Sequence, residues 1–253
     1  LSANKNFNLI CKQINKYNPK FFVIADKLIF NKIKKKFKNK IIKILNNFNK
    51  INLKKKTDVS ISAIPGFSGL NPTILLTKSS KKILIANKES IICGWNLIKS
   101  LSKKNNTKII PVDSEHFSIL QLLENHQLNE ISKIYITASG GPFLNYKKKQ
   151  FENIKPKDAM KHPKWKMGKK ISVDSANLMN KVFEVIEACK IFNFKKKKYK
   201  IIIHPQSYVH SIIRFRNGLT KMILYNSDMK IPISNTLYGK YTNLLNEKKI
   251  DFK

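Results

Sequence analysis

The residues of this 253-residue sequence best suited to chemistry are three carboxylates and the polar groups around them. Asp113 and Glu115 stand two apart in Val112-Asp113-Ser114-Glu115-His116, after the apolar run 109–112, where a strand hands over to helix-like sequence. Such a junction aims both carboxylates into one cleft. A hard divalent cation such as Mg²⁺ or Mn²⁺ takes oxygen ligands and keeps positions open for a substrate, which suits the pair. The same spacing is also that of a plain helix start, with acidic residues at the positive end of the helix dipole. From Leu178 the apolar positions Leu178, Val182, Val185 and Cys189 recur at helical spacing and leave Asn180, Lys181, Glu184 and Glu187 on another face. A carboxylate, an amide and an ammonium group then project together. The alternative is a solvated face whose Lys181–Glu184 pair contributes only ~0.3 kcal/mol.

Four further stretches can meet a ligand. The strand-like run 134–137 feeds Ser139-Gly140-Gly141-Pro142, where consecutive glycines let backbone N–H groups converge on an anion, unless the segment is a simple turn. Residues 82–86 read as a strand ending in Asn87-Lys88-Glu89, beyond the carboxyl end of a strand, where open α/β sheets hold ligands and where helices also begin. Ahead of both, Ala63 to Leu70 carries Gly66 and Gly69 and allows a tight strand-to-helix turn. The loop His162 to Gly168 holds an imidazole, Trp165 and Met167; it is either a lid that buries its aromatic group on ligand binding or a loop anchored in the core by Trp165. After the apolar run 201–203, His204 reads as an ordinary core histidine, and His210 is open to either role.

The elements that must position these groups are of α/β type. Phe7, Ile10, Cys11 and Ile14 follow helical spacing, residues 21–24 form a short apolar strand, and Leu28 to Ile51 reads as one lysine-rich amphipathic segment. The length suits one large domain or two small ones. A net charge of +35 would ordinarily point to nucleic acid. Only Arg214 and Arg216 are arginines, however, and base-reading or phosphate-clamping surfaces favour the planar fork of arginine. Scattered lysines with abundant Asn and Ile fit drift toward AT-rich codons better than a binding face, so no nucleic-acid partner is expected. Cys11, Cys93 and Cys189 lie far apart and in no metal-ligand spacing, as reduced thiols of a cytosol-like compartment do. No apolar run is long enough to span a bilayer, which predicts a soluble, cytoplasmic protein with no membrane partner. A plastid-type organelle is the variant if a transit peptide was removed upstream of Leu1, which is not an initiator Met.

Seven segments occur in a telling order: Asn87-Lys88-Glu89-Ser90, Pro111 to His116, Ser139 to Phe143, His162 to Gly168, Lys170 to Ser175, Asn180-Lys181 with Glu184, and His204-Pro205-Gln206-Ser207 with His210. Together they closely resemble the 1-deoxy-D-xylulose 5-phosphate reductoisomerases of the non-mevalonate isoprenoid pathway. The resemblance implies an incomplete Rossmann-like dinucleotide-binding domain (residues 1–112) followed by an α+β catalytic domain (113–240). Residues 241–253 would begin the connection to a C-terminal helical domain, and the glycine-rich cofactor turn would lie upstream of Leu1. It implies Asp113, Glu115 and Glu184 as ligands of Mg²⁺ or Mn²⁺. Substrate would be held by Lys88, Ser114, Glu115, Ser139, His162, Trp165, Ser175, Asn180, Lys181 and Glu184, with Lys88, Glu115 and His162 as the catalytic groups. NADPH would lie against Asn4, Lys5, Asn6, Asn87, Glu89 and Gly168. Asn4 stands where the family usually has Gly, and basic Lys5 favours NADPH over NADH, although it is equally a solvated loop lysine. A homodimer is implied for the full-length protein. Two alternatives stand beside this reading: an inactive remnant that has lost its cofactor half, which predicts weak NADPH binding, and a basic nucleic-acid-binding protein.

Overall fold

A computed structural model describes residues 1–51, 55–162, 168–239 and 250. Contacts group the chain into two compact units, Leu1–Thr57 and Asp58–Lys253. The division falls inside the stretch 1–112 that the sequence reading treats as one partial domain.

In the first unit, β1 (Ser2–Ala3), α1 (Phe7–Tyr17), β2 (Phe21–Ile24), α2 (Lys27–Lys36) and β3 (Lys43–Leu45) alternate. The three strands form a parallel sheet in the order β1-β2-β3, the outcome of helical crossovers between strands. Both helices start on side-chain caps: Asn6 accepts from the Leu9 N–H and Asp26 from the Ile29 N–H. Ile10, Cys11 and Ile14 turn inward onto Phe22, Ile24, Ile33 and Phe37. The lysine-rich segment is not one element. Its helix stops at Lys36, and the β-branched cluster that follows gives β3, which pairs Ile44 with Phe22.

The second unit opens with β4 (Thr57–Ser62), which begins at the division itself, then α3 (Leu70–Ser79), β5 (Ser80–Ile85), α4 (Lys88–Lys104) and β6 (Lys108–Pro111), with sheet order β4-β5-β6. There follow α5 (Ser114–Leu122), β7 (Ile131–Ala138), α6 (Pro156–Ala159), α7 (Lys169–Ala176), α8 (Met179–Phe192), β8 (Tyr199–Ile203), β9 (Val209–Phe215), β10 (Thr220–Leu224) and α9 (Lys230–Tyr238). The second sheet runs β10-β9-β7-β8, parallel only between β7 and β8. Its core joins Ile134, Ile136, Ile213 and Phe215 to Ile119 and Leu122 of α5 and to Val185, Ala188 and Phe192 of α8. Lys82 on β5 donates to the carbonyls of Thr236 (3.0 Å) and Leu237 (3.3 Å) at the end of α9. The fold is thus α/β, with a parallel-sheet part and a mixed-sheet part. No helix among the described residues is long and apolar enough to cross a membrane. Residues 241–249 and 251–253 of the expected connection lie outside the described residues.

Candidate metal and anion site

Two chain segments deliver the three carboxylates to one cavity of about 220 Å³ in the second unit. Strand β6 ends at Pro111, and Asp113 caps α5 by accepting the Glu115 N–H at 3.2 Å, so the helix start and the ligand pair are one structure. Helix α8 brings Glu184. Oxygen atoms of Asp113, Glu115 and Glu184 all lie within 4.8 Å of one another. Lys88, in the first turn of α4, reaches across with its ammonium 2.8 Å from Asn180 Oδ1 and 3.3 Å from both Asp113 Oδ2 and Glu184 Oε1. Lys181 donates to Glu115 and pairs with Glu184, and the Asn180 amide donates to Glu184.

Electrostatics set the protonation of this cluster. Burial opposes the charge of Lys88 and Lys181, yet the carboxylates around each overcome it and hold both pKa values above the ordinary lysine value. Burial likewise works against the Asp113 anion, but Lys88 and then His116 hold its carboxyl well below the usual range. Glu184 is pushed up by burial and by the neighbouring Glu115. Three carboxylates face the Lys88 and Lys181 ammonium groups, and Lys181 pairs with both Glu115 and Glu184 Oε2. An all-oxygen donor set of three converging carboxylates fits a hard divalent cation.

Another part of the lining carries groups that suit an anion. Ser139 Oγ lies 3.0 Å from His162 Nε2, at the mouth of a loop whose Gly140 and Gly141 have φ of +89° and +71°. A Cβ at Gly141 would stand 2.7 Å from the Ser175 carbonyl oxygen, so only glycine lets this loop close on the end of α7. Ser175, Asn180 and Lys181 line the same cavity. Between α7 and α8 the backbone turns at Leu178, held at φ +61°, a conformation costly for leucine and found where a site over-determines it. Burial, and then the charge of Lys181, lower the pKa of half-buried His162, which favours the neutral imidazole.

The cavity thus gathers Lys88, Asp113, Ser114, Glu115, Ser139, His162, Ser175, Asn180, Lys181 and Glu184. Trp165 lies outside the described residues. Asn87, Glu89 and Gly168 do not line this cavity. Asn87 is buried and occupied with structure, capping the Ser90 N–H at 2.7 Å and donating to the carbonyls of Ile64 (2.6 Å) and Gly66 (3.1 Å). Glu89 pairs with Lys170 at 3.3 Å, and Gly168 caps α7. Asn4, Lys5 and Asn6 are exposed and belong to the first unit, where Asn6 caps α1. The core histidine is His210 rather than His204: His210 stacks on Tyr225 at 3.8 Å and faces its carbonyl oxygen at 3.1 Å, while His204 is only partly covered. The solvated-face reading of α8 also fails, since Asn180, Lys181, Glu184 and Glu187 are the buried side and Val182 the exposed one. Sequence reasoning named His116 and Glu187 but gave them no role; they stand behind the carboxylates. Their only signal was a titratable residue one helical turn beyond Asp113 and another one turn beyond Glu184.

Fold and cavity define an α/β protein with a carboxylate-lined pocket beside a glycine-containing loop whose groups suit an anion. The family model described as "1-deoxy-D-xylulose 5-phosphate reductoisomerase" matches residues 1–94, and the model of that enzyme's C-terminal domain matches residues 109–192. The chain is 52% identical over 257 residues to the 1-deoxy-D-xylulose 5-phosphate reductoisomerase of Pelagibacter ubique, covering 100% of this chain and 66% of that one. With the same enzyme of Chloroherpeton thalassium the identity is 39% over 264 residues, covering 100% of this chain and 68% of that one. Among solved structures, a DOX-P reductoisomerase in complex with NADPH, fosmidomycin and magnesium superposes with a TM-score of 0.87 at 33% identity, over 94% of this chain and 62% of that one. The Zymomonas mobilis enzyme in complex with NADPH gives a TM-score of 0.87 at 31% identity, over 100% and 66% respectively. The chain belongs to the 1-deoxy-D-xylulose 5-phosphate reductoisomerase family, as its seven motifs imply. It spans 66% and 64% of the length of the first two curated relatives that it matches.

Proposed function

We propose that this chain carries the catalytic part of a reductoisomerase that rearranges 1-deoxy-D-xylulose 5-phosphate to an aldehyde and reduces it with NADPH to 2-C-methyl-D-erythritol 4-phosphate. The observation that carries the reading is the convergence of Asp113, Glu115 and Glu184 beside the Ser139–His162 loop. A divalent cation, Mg²⁺ or Mn²⁺, held by those three carboxylates would polarise the carbonyl and hydroxyl oxygens of the substrate. Ser139, Ser175, Asn180, Lys181 and neutral His162 anchor the phosphate, and this remote binding orients the reacting carbons. Lys88 and Ser114 face the polar groups of the sugar chain, with Lys88 and Glu115 placed to stabilise charge as bonds rearrange. Trp165, which lies outside the described residues, is assigned in this reading to excluding water from the substrate. In this reading residues 1–112 serve the NADPH side, through Asn4, Lys5, Asn6 and Glu89, with Gly168 contributing from the lid, and residues 113–240 serve the substrate.

The full-length protein works in this reading as a cytoplasmic homodimer without nucleic acid. Exposed Met222, Leu224 and Ile202 on the second sheet give such a dimer an apolar surface. The decisive experiment is Glu184→Gln in the full-length enzyme, followed by NADPH oxidation and Mn²⁺ titration. Loss of cation affinity and turnover together is expected, and unchanged activity would sink the assignment.

A further inference from the structure

His116 is fully buried behind the carboxylates, and its two ring nitrogens face different elements. Nε2 lies 2.9 Å from the backbone oxygen of Glu184; a carbonyl only accepts, so this nitrogen donates. Nδ1 lies 3.3 Å from Asp113 Oδ1 and 3.5 Å from Glu187 Oε2. One imidazole therefore ties the cap of α5 to α8, the two elements that carry the acidic cluster. Glu187 is the unexplained member. It is 2% exposed, it does not line the cavity, and its Oε2 makes no hydrogen bond. Burying a carboxylate costs more than packing an apolar side chain of similar size in its place, so stability alone gives no reason for it.

We propose that Glu187 is a positioning residue, which shares the ring of His116 with Asp113 and so keeps the Asp113 carboxylate aimed at the cation. Without Glu187, Nδ1 has one carboxylate left to face. Asp113 then turns toward the ring, and the oxygen that it offers to the cavity is committed elsewhere. The inference rests on the cation reading of the preceding subsection.

The test is Mn²⁺ titration of the 253-residue chain followed by electron paramagnetic resonance, alongside urea unfolding. Glu187→Gln is expected to weaken Mn²⁺ binding about 10–100-fold, the usual effect of removing a partner that orients a ligand. Glu187→Asp should recover part of the loss. Val185→Ala, which loosens the same helix without touching His116, should leave the affinity unchanged and so separate positioning from general destabilisation. In an Asp113→Asn background, Glu187→Gln should add nothing. Wild-type affinity in Glu187→Gln, or losses that add in the double variant, would overturn the inference alone. A wild-type chain that binds no Mn²⁺ would overturn the cation reading and this inference with it.

Discussion

Helices α1 and α8 are both amphipathic, and they face their surroundings in opposite senses. Helix α1 buries Ile10, Cys11 and Ile14 and leaves its lysines in water, as the hydrophobic effect requires. Helix α8 buries Asn180, Lys181, Glu184 and Glu187 beside Val185, Ala188 and Phe192, and leaves Val182 and Ile186 exposed. The inward polar stripe is tolerated because each charge has opposite charges around it: Lys88 and Lys181 among the carboxylates, and His116 between Asp113 and Glu187. Burial opposes the His116 imidazolium, but Glu187 and then Asp113 hold its pKa up at about 10. Burial raises Glu187 to about 7 against the pull of that charge. A helix whose polar face goes inward is assembled for chemistry, since an apolar face would bury at less cost.

The sharpest way to break this contrast is Lys181→Met, which strands Glu115 and Glu184 without the ammonium between them. A loss of about 3–5 kcal/mol is expected in urea unfolding of the metal-free protein, and a loss under ~1 kcal/mol would mean that charge does not hold α8 in place. The counterpart on α1, Ile14→Ala, should cost about 2–5 kcal/mol through a cavity, with no dependence on salt. A third expectation concerns His162. Its pKa in the folded state lies below the ordinary value, so between the two values the unfolded chain binds more protons and stability falls as pH falls. An NMR titration of the ring should give a midpoint under 6.5, and inorganic phosphate should raise it, because an anion favours the imidazolium. The smallest effect is expected from Val182→Gln, within ~0.5 kcal/mol. A larger loss would show that this exposed apolar face is covered in solution.

Much of this arrangement could be read from residue order alone. The periods of α1 and β2 and the Asx caps that open α4 and α5 follow from residue type and spacing, whereas the meeting of Glu184 with Asp113 and Glu115 was implied only by the resemblance to the family. The inward side of α8 did not follow from spacing, because a helical period reports that two faces differ and not which one turns in. Strand β3 was hidden for a related reason. Its flanking lysines continue the composition of α2, and only pairing with β2 selects the extended form. Asn87 was legible as a helix cap, whereas its hold on Ile64 and Gly66 depends on a loop more than twenty residues earlier. His210 and His204 could be told apart only by the ring of Tyr225, which a pattern of alternating apolar residues does not place.

The hold of Lys82 on the end of α9 joins points 154 residues apart in the chain. So remote a link yields its free energy only once the intervening segments are ordered. Attachment of α9 accordingly belongs to the closing stage of folding, and Lys82→Met should quicken unfolding in a stopped-flow experiment while leaving the refolding rate nearly unchanged. The last helix to settle is then the first to let go.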